Sequence, residues 1–177
     1  MTDTTYTPRA RNLHWYMAGL VLLAYVTSNL IPFSESGSPG RCFVIRTHFM
    51  AGLAVLLLLT PRVLHRLRHV PPAIQPPLAS WQVVSAKFAH GLLYAFLLAQ
   101  PILGLLSVWL GGDGVGIPLS KLAIPSPLPE NLEWRQRVHE LHAWIGTAFY
   151  FVIALHVAGA LWHRFGRRDD TLQRMLG

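Results

Sequence analysis

The stretch HELHAWIGTAFYFVIALHVAGALWHRF, from His139 to Phe165, limits what this chain can become. It is long and apolar enough to cross a bilayer as one helix, yet it carries histidines at 142 and 156. A helix turns about 100° per residue, so a spacing of 14 residues returns the second imidazole to within roughly 40° of the first, about 21 Å further along. Histidine is costly inside a membrane and marks function there. Two on one stripe, one per leaflet, suggest a part that carries something across in two stops.

Three more apolar runs lie upstream. The spans are expected at about 12–31, 43–63, 83–110 and 139–165, in one domain covering 1–177. Between them lie a Ser/Gly/Pro-rich turn, the basic and then proline-rich segment RVLHRLRHVPPAIQPP, and the loop GGDGVGIPLSKLAIPSPLPENLEW. The segment from Arg62 to Ser80 reads as a surface connection because its prolines cannot continue a helix. The Gly/Pro-rich loop reads as a cap on the membrane surface. The run after Arg9 and Arg11 has no small-residue cleavage site and reads as a retained first helix. With 52% hydrophobic and 13% charged residues, the composition is that of a small membrane protein rather than a soluble domain. The fold class expected is all-α, an integral membrane four-helix transmembrane bundle.

The net charge of +7 does not point to nucleic acid, because the basic residues sit in short segments flanking the apolar runs. The N-terminus, the 62–87 connection and the C-terminus hold ten Lys/Arg; the other side holds five, Arg41, Arg46, Lys121, Arg135 and Arg137. The positive-inside rule then puts both termini in the cytoplasm.

Depth sorts the histidines. His14 enters the first span from the inside and His48 the second from the outside. With His142 and His156 they form an outer pair, His48 and His142, and an inner pair, His14 and His156. Two imidazoles from facing helices make a bis-axial clamp for haem iron. Gly52 and Gly146 each follow an outer histidine by four residues, where a glycine lets a flat macrocycle lie against the helix. Cys42 is the single cysteine and there is no C-x-x-C-H motif, so any haem is non-covalent.

Several segments carry a resemblance: LHWYMAGLVLLAY around His14, IRTHFMAGLAVLLLLTPRVLHRL around His48, FLLAQPILGLLS in the third span, the spacing from His142 to His156, and the closing ALWHRFGRRDDTLQRML. Together, over nearly the whole chain, they resemble the bacterial cytochrome b561 family of four-helix di-haem membrane cytochromes. Within it the likeness runs to superoxide oxidases, which pass electrons from periplasmic superoxide to ubiquinone. The resemblance implies two haem b groups with His14, His48, His142 and His156 as axial ligands. It also implies a bacterial inner-membrane location and an oxidoreductase role.

His163 lies two turns beyond His156 on nearly the same face and competes with it as a ligand; the family spacing selects His156. His163 is then expected at the inner rim, donating a hydrogen bond to a quinone carbonyl. His90 is expected as a hydrogen-bonded core residue near the inner pair, His139 as an interfacial residue, and His65 and His69 as solvated loop residues. No Asp or Glu lies inside a span, with Glu140 at an outer boundary, which favours electron transfer over proton or metal-ion transport. No catalytic residue is singled out. The outer basic residues serve haem propionates, draw in an anion, or snorkel. Two alternatives stay open: an anchor subunit relaying electrons between a partner dehydrogenase or hydrogenase and the quinone pool, and a haem-free metal-ion transporter.

Overall fold

A computed structural model of the chain describes residues 5–70 and 74–177. Four long helices form the body: α1 (Pro8–Leu30, followed by a 3-10 turn Ile31–Phe33), α2 (Pro39–Arg68), α3 (Ser80–Trp109) and α4 (Leu132–Leu161). All four are long and apolar enough to cross a membrane. Three of the four starts, those of α1, α2 and α4, have a side-chain cap. Thr7, Ser38 and Asn131 accept, through their side-chain oxygens, the backbone N–H of Ala10, Arg41 and Trp134. Pro8 and Pro39 stand where the first turn needs no N–H.

The helices run further than the sequence patterns suggest. α2 passes Pro61 and continues to Arg68, so Arg62, His65 and His69 do not lie in the expected loop: the first two are on the helix and His69 is its C-cap. One proline removes a single ladder hydrogen bond, whereas leaving the helix inside an apolar layer would strand every backbone group. α4 likewise begins at Leu132, seven residues before the expected span, on the Asn131 cap. Residues 71–73 of the proline-rich connection lie outside the described residues.

α1 packs chiefly on α2, α3 on α4, and α2 on α3. The centre is thin: Met17, Val55 and Leu59 are buried, with Leu20, Val21, Tyr94 and Leu97 packed around them. Outside, Leu57 is 74% exposed and Phe151 75%. A soluble chain does not leave such an apolar exterior in water, whereas lipid covers it.

The Gly/Pro-rich connection between α3 and α4 is more than a surface strap. It holds a two-stranded antiparallel hairpin, β1 (Val115–Gly116) and β2 (Ala123–Ile124), and Val115 is 1% exposed. At the opposite end lie both termini. There α4 passes into a π-helical turn (Trp162–Arg167), the chain reverses at Arg168 in a left-handed conformation, and a short α5 (Gln173–Leu176) follows. The Tyr6 N–H donates to the Arg174 carbonyl, and the Trp15 indole donates to Met175.

Candidate functional site

α2 and α4 each present a stripe of three interior positions spaced seven residues apart. On α4 these are His142, Phe149 and His156; on α2 they are His48, Val55 and Arg62. Phe149 and Val55 are buried mid-bundle, which leaves the polar members of each stripe at the two ends.

At the hairpin end, His48 and His142 face one another with ring centroids 6.2 Å apart and planes at 88°. The His48 Nδ1 lies 2.8 Å from the Ala24 carbonyl, and the His142 Nδ1 lies 3.1 Å from that of Gln100. A carbonyl only accepts, so both Nδ1 atoms donate and both Nε2 lone pairs are left for another partner. Gln100 also donates its side-chain N–H to the His142 carbonyl at 3.0 Å. Gly104 makes this approach possible, because a Cβ there would stand 3.3 Å from Cε1 of His142.

At the terminal end, His14 from α1 and His156 from α4 are 6.3 Å apart at 72°. A metal–imidazole bond is about 2.0 Å and the ring centre lies roughly 1.1 Å beyond the nitrogen, so two imidazoles on opposite sides of one iron have centroids about 6 Å apart. Both pairs meet this spacing, and the residues fit a bis-histidine haem at each end. A third imidazole, His90 of α3, is 5.6 Å from His156 and closes the inner cluster. Among the described residues no group of three or more His, Cys, Asp or Glu is placed to hold a free metal ion.

A cavity of about 1060 Å³ surrounds the outer pair. Gly52 and Gly146, expected beside a macrocycle, both line it, as do Arg41, Arg46 and Arg135. The hairpin closes over this cavity and is pinned by Arg46, whose Nη1 donates to the carbonyls of Ser120 at 2.6 Å and Ile117 at 3.2 Å. The other outer basic residues differ. Arg137 is paired with Glu133 at 2.6 Å, and Lys121 is exposed on the hairpin. His139 is exposed at the cavity mouth, as an interfacial residue would be.

His163 stands in the π-helical turn with its Nδ1 2.6 Å from Oδ2 of Asp169. Asp169 is 4% exposed; it also meets Arg167 Nε at 2.9 Å and accepts the Thr171 N–H at 3.0 Å. Burial pushes the Asp169 carboxyl up, but the hydrogen bonds from His163 and Thr171 outweigh it and hold the group below the usual carboxylate range. Arg167 continues the network to the start of α3, donating to Gln82 Oε1 at 3.1 Å and to the Pro77 carbonyl at 2.6 Å. The tail is therefore a docked cap rather than a solvated end. His65 and His69, expected as solvated loop residues, lie on and at the end of α2 and stack at 4.1 Å; His69 is exposed, and the half-buried His65 meets Thr7 Oγ1 with its Nε2 at 3.0 Å.

Sequence reasoning missed Gln100, Asp169 and Arg62. Arg62 could have been found: it is 14 residues beyond His48, the same interval that separates His142 from His156.

The family model described as prokaryotic cytochrome b561 matches residues 5–177. The chain is 32% identical to cytochrome b561 homolog 1 of Escherichia coli (strain K12), over 93% of this chain and 92% of that protein. It is 30% identical to the probable superoxide oxidase CybB of Yersinia pestis, over 93% of this chain and 91% of that one. It is 27% identical to cytochrome b562 of Cereibacter sphaeroides, over 97% and 94%.

Proposed function

Because the chain belongs to the prokaryotic cytochrome b561 family, a family of haem b membrane proteins that transfer electrons, we propose a di-haem carrier that runs from periplasmic superoxide to membrane ubiquinone. His48 and His142 hold the outer haem, and His14 and His156 the inner one. The observation that carries this reading is the repetition of one ring separation, 6.2 and 6.3 Å, in two histidine pairs at opposite ends of the bundle. When bound, each haem supplies a one-electron carrier. The protein fixes the imidazoles, excludes water from the middle with Phe149 and Phe96 (stacked at 4.9 Å), and shapes each end for its substrate.

The excess of Lys/Arg at the terminal end supports a cytoplasmic assignment for it, which makes the hairpin end periplasmic. Arg41, Arg46 and Arg135 around the outer cavity draw an anion toward it. The printed name of the Yersinia relative supports superoxide as that anion. Two superoxide anions each give up one electron and leave as dioxygen; one quinone takes both electrons and two protons to become quinol. At the inner rim His163 is the residue to serve the quinone. Its Nδ1 is engaged by Asp169, so its Nε2 is the ring atom left to hydrogen-bond a quinone carbonyl.

The test is a purified preparation given a superoxide source with ubiquinone present. Two haem b per chain, both reduced quickly and protected from reduction by superoxide dismutase, are expected. Two haems that dismutase does not protect would remove superoxide and leave a quinone-linked carrier with another donor. Slower quinone reduction in His163→Ala with normal haem reduction is the expected sign of the inner-rim role.

A further inference from the structure

Arg62 is a cation on the interior stripe of α2, in register with His48 but one leaflet deeper. It does not snorkel outward. Its Nη2 lies 3.1 Å from Nδ1 of His14 on α1, and its guanidinium stands 5.9 Å from the ring centre of Tyr94 on α3. Neither partner is a carboxylate. α1, α2 and α3 contain no Asp or Glu, and the carboxylates of α4, Glu133 and Glu140, are at the opposite end. The ion pairs found among the described residues do not include Arg62. An arginine turned into a low-dielectric bundle requires an anion there, and a carboxylate is the partner its planar fork fits best.

A guanidinium has no acceptor, so it donates to the His14 Nδ1. That is the reverse of His48 and His142, whose Nδ1 atoms donate to carbonyls. Haem b carries two propionates and so brings the missing carboxylate with it.

We propose that Arg62 is the counter-ion of the inner haem, pairing with a propionate and raising that haem's potential with its fixed charge. This rests on the di-haem reading.

The experiment is haem content, haem loss to apomyoglobin, and potentiometric titration of the wild type, Arg62→Met and Arg62→Lys. In Arg62→Met one haem should leave about tenfold faster or more, the size expected for a lost charge-assisted hydrogen bond. The midpoint of the same haem should fall while the other haem keeps its own. Arg62→Lys should restore most of the midpoint, which a purely packing role would not do. The outer haem's unchanged spectrum is the control for folding. Wild-type midpoints and loss rates in Arg62→Met would overturn the proposal, as would an equal change at both haems. A wild type with a single haem would overturn the di-haem reading instead.

Discussion

His142 and Gln100 hold each other twice, the histidine Nδ1 on the Gln100 carbonyl at 3.1 Å and the Gln100 amide on the His142 carbonyl at 3.0 Å. The first bond orients the ring and the second fixes the helix turn that carries it. Gln100→Leu removes only the second. The expected cost is about 1 kcal/mol of stability, the net worth of one neutral hydrogen bond, with the outer haem still bound. Thermal unfolding followed at the haem absorbance checks this; loss of the haem from Gln100→Leu would mean that the amide, not the carbonyl, governs the ligand.

The pairing scheme makes a separable prediction. His48→Ala and His142→Ala should each lose one and the same haem, and His14→Ala and His156→Ala the other. Haem per chain, read as the pyridine haemochrome, should fall by half in all four, and the remaining absorption band should be alike within each pair. His90 is the sharpest control, because its ring is nearer to His156 than that of His14 is, at 5.6 against 6.3 Å. His90→Phe should retain both haems. If it loses the inner one and His14→Phe does not, the inner ligand is on α3.

Why the sequence revealed some of this and not the rest is plain at particular residues. The spans and the histidine depths were legible because bilayer thickness and helical rise are fixed lengths, so position along an apolar run translates directly into depth. Arg62 was hidden by its neighbour: Pro61 reads as a helix end, which put the arginine in a loop and among the orientation charges. The hairpin was hidden because Val115–Gly116 and Ala123–Ile124 are too short to show alternation. Asp169 was hidden because a polar tail reads as solvated, whereas burial here depends on His163 and Arg167 meeting one carboxylate from positions that only the π-helical turn brings together. Gly52 and Gly146 were legible through the shared interval of four from their histidines.

The hairpin lid rests on a backbone contact that can be tested alone. A Cβ on Gly114 would stand 2.9 Å from the Ile124 carbonyl oxygen and 3.2 Å from the Ala123 Cβ, so the strand pair has to open to accept it. Gly114→Ala should cost about 1–3 kcal/mol, the usual range for overpacking. The exposed Lys121 on the same hairpin then becomes a faster trypsin site. Gly40→Ala, where the nearest atom is Oγ of Ser38 at 3.8 Å, should leave cleavage unchanged. Equal cleavage of Gly114→Ala and the parent would mean that the lid is held by Arg46 alone.

The docked tail has a pH dependence whose sign follows from Asp169. Burial raises this carboxyl, but the bonds from His163 and Thr171 lower it further, so its folded-state value lies below the ordinary 3.8. A group depressed in the folded state contributes stability in full above its unfolded value and loses it as pH falls through the folded one. Docking of residues 168–177 should therefore hold from neutral pH down to about 4 and fail only in stronger acid, as more protons reach the carboxylate. Asp169→Asn keeps the shape but leaves Arg167 and His163 without their shared anion, and it should release the tail already at neutral pH. Hydrogen exchange of the tail amides, corrected for the intrinsic pH dependence, reads both effects. Tail amides that exchange alike in the parent and in Asp169→Asn at neutral pH would show that Asp169 does not hold the tail.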